Sequence, residues 1–489
     1  MIAAHPILSC DEAKTLEAVF FGGDEEREWA AMQRAGRAVA DALLRDFEEI
    51  GAFPADARVL VLAGKGHNAG DALIAARRIA ERHPQVRVEV RFVFGERALR
   101  PLAQRAWSAL APVATSVGEG TGSAARDVVI DGVFGYQFHP PLQNSPAAEL
   151  AAINTWPVRL RAAVDLPSGL HDPSAFRADF TYATGILKTP LLTLPNAGRL
   201  RYLDLGFFDS LRGEDRETPG GATDQVLTPA VLAPLRALRP AHTDKRTYGH
   251  LFIVGGSRRY PGAVLMSVLA ALRSGVGLVT AFVPESLAPA FAARAPEAMW
   301  VGWPETPEGG LALEGSHLLR EQVARAGALL IGPGLGREPE TLALAKDIVG
   351  HVDVPVVIDA DALQAGIVAA GRAPRILTPH AGEYGRIEKA IPAEAVTVRK
   401  GPVTAVCAGG RAFHSVFGGP ALARGGSGDV LAGLIAGLVA QTPRDLAGAA
   451  ARGVVWHGMA ADAWARSQGQ VAGTTTQLLE YLPTALRTG

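Results

Sequence analysis

Apolar positions along the chain follow two different periods. Between Glu25 and Ile50, Trp29, Met32, Ala35, Gly36 and Val39 recur at helical spacing, and with the stretch Asp11 to Phe20 they predict a pair of amphipathic helices. Arg58-Val-Leu-Val-Leu-Ala63 then reads as a short buried strand, followed by a glycine-rich turn and a second helical pattern from Asp71 to Ala80. Apolar runs at Val86 to Phe94, Asp127 to Ile130 and Leu160 to Leu166, separated by helix-length stretches, repeat the strand-helix rhythm of a parallel sheet. The first half is therefore expected to be a doubly wound α/β fold.

Around residues 209 to 250 the texture changes to polar, turn-forming segments: Arg212-Gly-Glu-Asp-Arg-Glu, Thr218-Pro-Gly-Gly and Leu238-Arg-Pro-Ala-His-Thr-Asp-Lys245. A boundary near 225 is expected, giving domains 1–225 and 226–489. The rhythm restarts with a strand at His250 to Val254 and a helix from Ala263 to Gly275. Strands follow at Leu278 to Val283, Ala328 to Ile331, Val354 to Ile358, Ile376 to Leu377 and Thr404 to Cys407, the pattern of a second α/β domain.

Composition narrows the class. With 489 residues, 48% hydrophobic and 20% charged, the chain is neither a single small fold nor disordered. Forty-eight basic against 49 acidic residues give a net charge of -1, so no global field draws it to nucleic acid or to a membrane surface, and neither is an expected partner. Leu265 to Val283 is interrupted by Arg273, and the first twenty residues carry Asp11, Glu12 and Glu17 in place of a basic leader. A soluble chain without a signal peptide is expected. Cys10 and Cys407 stand far apart with no metal-type spacing, which points to a reducing compartment, the cytoplasm. The helical stretch Leu446 to Arg466 could serve an interface or close the second sheet, and a homo-oligomer is expected.

Ala63-Gly-Lys-Gly-His-Asn-Ala-Gly-Asp-Ala72 lies between a predicted strand and helix, where bare backbone and helix-terminal N–H groups can receive an anion. Gly64, Gly66 and Ala69 fit a loose dinucleotide fingerprint. The acidic residue such a site requires near the end of the next strand has only Glu89 as a candidate, mid-strand between Val88 and Val90. Ile130-Asp-Gly-Val-Phe-Gly135 and Val164-Asp-Leu-Pro-Ser-Gly169 follow strands on the same expected sheet edge. The three loops would bring together Asn68, Asp71, Asp131, Asp165 and Ser168, an oxygen set suited to a hard cation. Asp131 and Asp165 could instead simply cap turns.

These three loops resemble the signature of the NAD(P)H-hydrate epimerase family, the YjeF amino-terminal domain. The resemblance implies a Rossmann-like fold, a potassium ion (K+) on Asn68, Asp131 and Ser168, and Asp165 as the substrate-contacting acid in proton transfer, with Asn68, Asp71 and Gly135 lining the substrate. It also implies interconversion of the R and S nicotinamide hydrates. The sequence departs from the pattern at His67, Ala69 and Ala72, and at Tyr136-Gln-Phe where a small or hydroxyl residue and a glycine are commoner. If Ala69 or Ala72 needs positive φ or a close phosphate approach, each methyl group costs about 1 kcal/mol or more and narrows the site. Lys188, in Gly185-Ile-Leu-Lys188, matches a late lysine of the family; its residue type alone suggests a solvated surface position.

In the second half, Ala421-Leu-Ala-Arg-Gly-Gly-Ser-Gly-Asp-Val430 runs into the apolar segment Leu431 to Val439. Glycines ahead of a helix leave several N–H groups aimed one way, an anion hole at the positive end of the helix dipole. Asp429 would stand beside a transferring phosphoryl group as a proton acceptor, or would simply cap the helix. There is no Walker-type Gly-x-x-x-x-Gly-Lys-Ser/Thr sequence. The loop resembles that of the ribokinase-like superfamily. Together with His250-Leu-Phe-Ile-Val-Gly-Gly-Ser257, Pro261-Gly-Ala263, Ile331-Gly-Pro-Gly-Leu-Gly336, Asp359-Ala-Asp-Ala-Leu363, Leu377-Thr-Pro-His-Ala-Gly-Glu383 and Lys400-Gly-x-x-Thr404, it resembles the ADP-dependent NAD(P)H-hydrate dehydratase family.

That resemblance implies a ribokinase-like α/β fold in which Ala263, Gly334 and His380 contact the hydrated dinucleotide. Lys400, Gly401, Thr404, Gly426, Ser427 and Gly428 would contact ADP, the co-substrate, and Asp429 would be the base. Glu383 and Asp361 could reach Mg2+ through water. Both halves together imply a bifunctional repair enzyme acting on NADHX and NADPHX. A small-molecule kinase for a vitamin precursor, with the first half a non-catalytic nucleotide-binding module, is the alternative.

Overall fold

The computed structural model describes residues 2–118, 124–136, 138, 141–142, 144–209 and 223–487. The polar segments at 212–221 that suggest a boundary lie outside the described residues, as does Gln137. Two compact units are present: His5–Ala222 with Ala465–Gln470, and Met1–Ala4 with Thr223–Trp464 and Val471–Gly489.

The first unit is built on a seven-stranded sheet in the order Ala114–Ser116, Arg87–Phe92, Arg58–Ala63, Arg126–Gly132, Val158–Val164, Phe180–Thr184 and Arg199–Leu203. All the neighbouring pairs are parallel, so each crossover needs a helix or long connection over a face. Leu60, Val61, Leu62, Val129 and Ile130 are fully buried, as a strand covered on both faces requires. The Arg58–Ala63 strand leads first to Arg87–Phe92 on one side and then to Arg126–Gly132 on the other, a topological switch point where ligands bind. Register sets Ala63 beside Gly132 and Asp131 beside Ala163. The loops opening at Gly64, Val133 and Asp165 therefore leave the sheet at one level.

The helix expected from Asp71 begins four residues earlier and spans His67–Arg82. Its first turn holds Asn68, Ala69 and Gly70, which carry no apolar signal. Ala69 and Ala72 are fully buried and neither has positive φ, so no positive-φ cost falls on their methyl groups. The helix packs closely on Glu25–Phe47: a Cβ on Gly36 would lie 2.6 Å from Ile74 Cβ.

In the second unit the strands after residue 223 lie in the order Asp224–Leu227, Arg411–Ser415, Thr404–Ala408, Val396–Arg399, Arg375–Leu377, Val356–Ile358, Ala328–Ile331, His250–Val254, Leu278–Pro284 and Met299–Trp303. Pairing is parallel from Val396–Arg399 to Met299–Trp303, and Thr404–Ala408 and Arg411–Ser415 form an antiparallel hairpin. Val254, Ile331, Ile358 and Leu377 are level in register, so the glycine loops after the first two and the Asp359 and Thr378 loops open on one edge. Above it the helix Ser427–Gln441 is buried from Val430 to Ala440, with Gly433 packed against Ser267 of the helix Pro261–Arg273. In the helix Leu446–Gln468, Ala449, Val455 and Trp456 are buried, as closing this unit's core requires.

Candidate active sites

In the first unit, Asn68, Asp131 and Ser168 come together. Asn68 Nδ2 donates to the carbonyls of Phe134 and Val164, both at 2.8 Å. Ser168 donates its N–H to Asp131 Oδ2 at 2.8 Å and its hydroxyl to Asp131 Oδ1 at 2.6 Å, and the Ser168 hydroxyl accepts from Phe134 N at 2.8 Å. Burial pushes the Asp131 carboxyl up to about 6, against the hydrogen bonds from Ser168 and Val133. No group of three or more His, Cys, Asp or Glu side chains placed to hold a metal ion occurs among the described residues. The convergent atoms are instead one carboxylate, a hydroxyl and the main-chain oxygens of Phe134 and Val164, the last two also met by Asn68 Nδ2, an oxygen set of the kind hard cations take.

Asp165 takes φ 65°, in the left-handed region, a conformation that costs about 1 to 3 kcal/mol and tends to be retained at functional sites. It does not act as a mere turn cap. Its partner is Lys188, which contacts Asp165 Oδ1 directly and is only 1% exposed. The expectation of a solvated surface lysine is thereby overturned: the neighbouring carboxylates make burial of the ammonium tolerable. Asp71 is also buried, and its Oδ1 has no hydrogen-bond partner among the described residues. Burial first, then Asp165 and Glu17, hold the Asp71 carboxyl well above the ordinary range. Glu17, which carried no motif signal, accepts a hydrogen bond from Tyr136 Oη at 2.6 Å.

A cleft of about 380 Å³ adjoins this cluster, lined by Lys65, His67, Asn68, Arg100, Phe134 and Tyr136 among others. It meets the amino end of the His67–Arg82 helix, whose N-cap Gly66 makes no side-chain cap bond and whose first turn has no acid. With Lys65 and Arg100 on its wall, it is electropositive where an anion would enter. Sequence patterns did not single out Lys65 or Arg100, whose only signal was position beside or inside the loops, and marked Tyr136 only as a departure from the usual loop pattern.

In the second unit the loop before Ser427–Gln441 turns at Gly426, φ 89°. The N-cap has no side-chain bond, and Asp429 is the third helical residue, so the alternative in which Asp429 caps the helix is not what the fold uses. Ser267 Oγ donates to the Asp429 carbonyl at 2.9 Å, and Ser427 Oγ donates to Leu422 O at 2.7 Å, fixing the loop. Ser427 N–H donates to Arg424 O at 3.4 Å, and no side chain caps the helix start. A Cβ at Gly426 would fall 2.4 Å from Met266 Sδ. Gly426→Ala is accordingly expected to destabilise the unit by about 1 to 2 kcal/mol and to weaken nucleotide binding, measured by denaturant midpoint and by titration of ADP.

Lys400 Nζ lies 3.0 Å from Asp359 Oδ1, and a Cβ on Gly428 would lie 3.2 Å from the same ammonium. Burial opposes the Lys400 charge, but Asp359, Glu383 and Asp429 outweigh it and hold its pKa above the ordinary value. Asp359 is buried and accepts from Thr378 Oγ1 at 2.7 Å. Burial and the Asp359, Asp361 and Glu383 carboxylates, against Lys400, push Asp429 up to about 7.

Asp361 accepts from Gly336 N and Arg337 Nε, each at 3.1 Å. His380 is the N-cap of Ala381–Ile387: its Nδ1 accepts from Gly382 N at 3.0 Å, and its own N–H donates to Glu383 Oε2 at 2.9 Å. It also sits beside Lys400, whose N–H donates to Pro379 O at 2.9 Å. Ala263 and Gly334 are neighbours, 3.1 Å apart by the Gly334 Cβ position. Gly401 and Thr404 are tied to each other through Thr404 Oγ1, 3.2 Å from Gly401 O.

Two family models match the chain: one described as NAD(P)H-hydrate dehydratase, over residues 251–484, and one described as YjeF-related protein N-terminus, over residues 29–189. A protein of Moorella thermoacetica named bifunctional NAD(P)H-hydrate repair enzyme Nnr is 34% identical over 93% of this chain and 92% of its own length. The protein of that name from Gloeobacter violaceus is 34% identical over 98% and 97%. A crystal structure of the ADP/ATP-dependent NAD(P)H-hydrate dehydratase of Bacillus subtilis, co-crystallized with ATP/Mg2+, aligns with 30% identity and a TM-score of 0.43, covering 51% of this chain and 93% of that one.

Proposed function

Because the chain belongs to the family of bifunctional NAD(P)H-hydrate repair enzymes, we propose that its first unit interconverts the R and S hydrates of NADH and NADPH. Its second unit then dehydrates the S form at the expense of ADP. The observation that carries the second activity is Asp429, poised near neutrality at the mouth of an uncapped helix and facing Lys400.

The hydrate's hydroxyl is a poor leaving group. Asp429 takes its proton as the oxygen attacks the terminal phosphoryl of ADP, and AMP departs with the electron pair of the broken P–O bond. The amides of Gly428 and Asp429 and the Lys400 ammonium balance the charge on the phosphoryl oxygens. Phosphate then leaves the ring carbon, a proton is lost from the adjacent carbon, and the dihydronicotinamide is restored. Mg2+ accompanying the nucleotide would neutralise phosphate charge. Asp359, Glu383 and Asp429 act together on Lys400, and Asp361 and Glu383 would reach the ion through water, not as direct ligands. Ala263, Gly334 and His380 would hold the dinucleotide, and Gly401, Thr404 and Gly426 the ADP.

In the first unit Asp165, oriented by Lys188, would move the proton at the hydroxyl-bearing carbon, with Asn68, Asp71 and Gly135 along the substrate. Asn68, Asp131 and Ser168 with the Phe134 and Val164 carbonyls would hold K+, whose charge would fix the three loops.

The test supplies S-NADHX with ADP and follows dihydronicotinamide absorbance, AMP and phosphate, expected in equal amounts. Phosphorylation of a vitamin alcohol by ATP with no dihydronicotinamide formed would overturn the reading. Protonated Asp429 cannot accept a proton, so dehydratase kcat/KM is expected to fall about tenfold per pH unit below about 7. A profile flat through that region would remove Asp429 as the base.

A further inference from the structure

Tyr136 both lines the cleft and touches the acidic cluster. Its ring lies 5.5 Å from Lys188 Nζ, and its hydroxyl donates to Glu17, which comes from the separate helix Cys10–Phe21. Lys188 therefore has the Asp165 carboxylate against its ammonium and the Tyr136 ring nearby, with Glu17 beyond that ring. The charged groups acting on Glu17 are Lys188, Asp165 and Glu28, and Asp71 feels Glu17 in turn. Burial, the largest influence, pushes the Glu17 carboxyl up, the direction that favours its protonated form.

Inversion at a carbon that bears both hydroxyl and ring nitrogen places two demands on such a site. Oxygen leaving one face with the C–O bonding pair needs a proton. Water adding to the other face must lose one. A single carboxylate meets both only if it reaches both faces, whereas two proton-carrying groups on different elements avoid that constraint.

We propose that Tyr136 is a second catalytic residue of the epimerase site, its phenol giving a proton to the departing hydroxyl while Glu17 resupplies it. The C–O bond breaks, its pair stays on oxygen, and the Tyr136 proton makes that oxygen water. The nitrogen lone pair forms the C=N bond. A water then adds to the opposite face, the C=N pair returns to nitrogen, and Asp165 takes the proton released by the added water. In the reverse direction the two arms exchange roles, so no outside reactant is needed. This assignment rests on the epimerase reading of the first unit.

The experiment measures R-to-S and S-to-R rates across pH for the full chain and for Tyr136→Phe, Glu17→Gln and Glu17→Asp. Tyr136→Phe is expected to lower kcat about 10²-fold with KM within about twofold, and to flatten the alkaline limb expected of the unmodified protein. Glu17→Gln is expected to do likewise, and Glu17→Asp to recover part of the loss. Should Tyr136→Phe fold poorly, the Glu17→Gln and Glu17→Asp pair decides alone. Unchanged kcat in Tyr136→Phe or Glu17→Gln, or a rise in KM only, overturns the assignment while leaving Asp165 in place. If the unmodified protein interconverts nothing, the epimerase reading itself falls, and this assignment with it.

Discussion

Asp429→Asn is expected to lower dehydratase turnover by about 10³-fold and to leave R/S interconversion at its original rate. The asparagine keeps the size and much of the polarity of the carboxylate but cannot hold the substrate's proton. The loop it follows is fixed by contacts that do not involve the carboxylate: Ser427 Oγ to Leu422 O, and Ser267 Oγ to the residue 429 carbonyl. Stability should change little, because the carboxylate lies among other acids that already push its proton affinity up. The measurement is steady-state release of AMP and phosphate with saturating ADP. Loss confined to kcat would mark a group acting in the transition state, and a rise in KM alone would mark a binding group.

The second large effect is expected from Lys188→Met. It leaves Asp165 and Asp71 buried, with Glu17 nearby and the cluster's cation gone. Breaking a buried pair on one side costs about 3 to 5 kcal/mol, which for a unit of this size lowers the melting temperature by roughly 10 °C. Epimerase activity should be lost while the dehydratase persists. The double variant Lys188→Met, Asp165→Asn should regain much of the stability and none of the activity, a coupling that a calorimetric double-mutant cycle measures directly. Additive losses in stability would mean that Lys188 serves the fold through contacts other than Asp165.

The Lys188 case shows where sequence is informative and where it is not. Its place in Gly185-Ile-Leu-Lys188 was legible, but its burial depends on Asp165, 23 positions away, and no local pattern records that. Strands with unbroken apolar runs, such as His250–Val254 and Ala328–Ile331, fall where periodicity places them. Met299–Trp303 and Val396–Arg399 did not stand out; the first is partly exposed and the second short, so neither has a strong run.

The helix His67–Arg82 was located late because its first turn is small and polar, a feature that belongs to the site. Ala69 and Ala72, departures from the glycine pattern, both lie inside that helix. The glycine loop ahead of Ser427 was legible because glycines with no cap are hard to explain otherwise. The contact of Tyr136 with Glu17 spans 119 positions and had no signal beyond a departure from the usual loop pattern.

The most direct measurement is an end-point assay on an equal mixture of R and S hydrate with excess ADP. Complete recovery of dihydronicotinamide, with one AMP and one phosphate per hydrate consumed, is the predicted result, and Lys188→Met should stop at the S portion. Recovery that halts at the S portion with the unmodified protein, or that proceeds without AMP, would contradict a two-site repair enzyme.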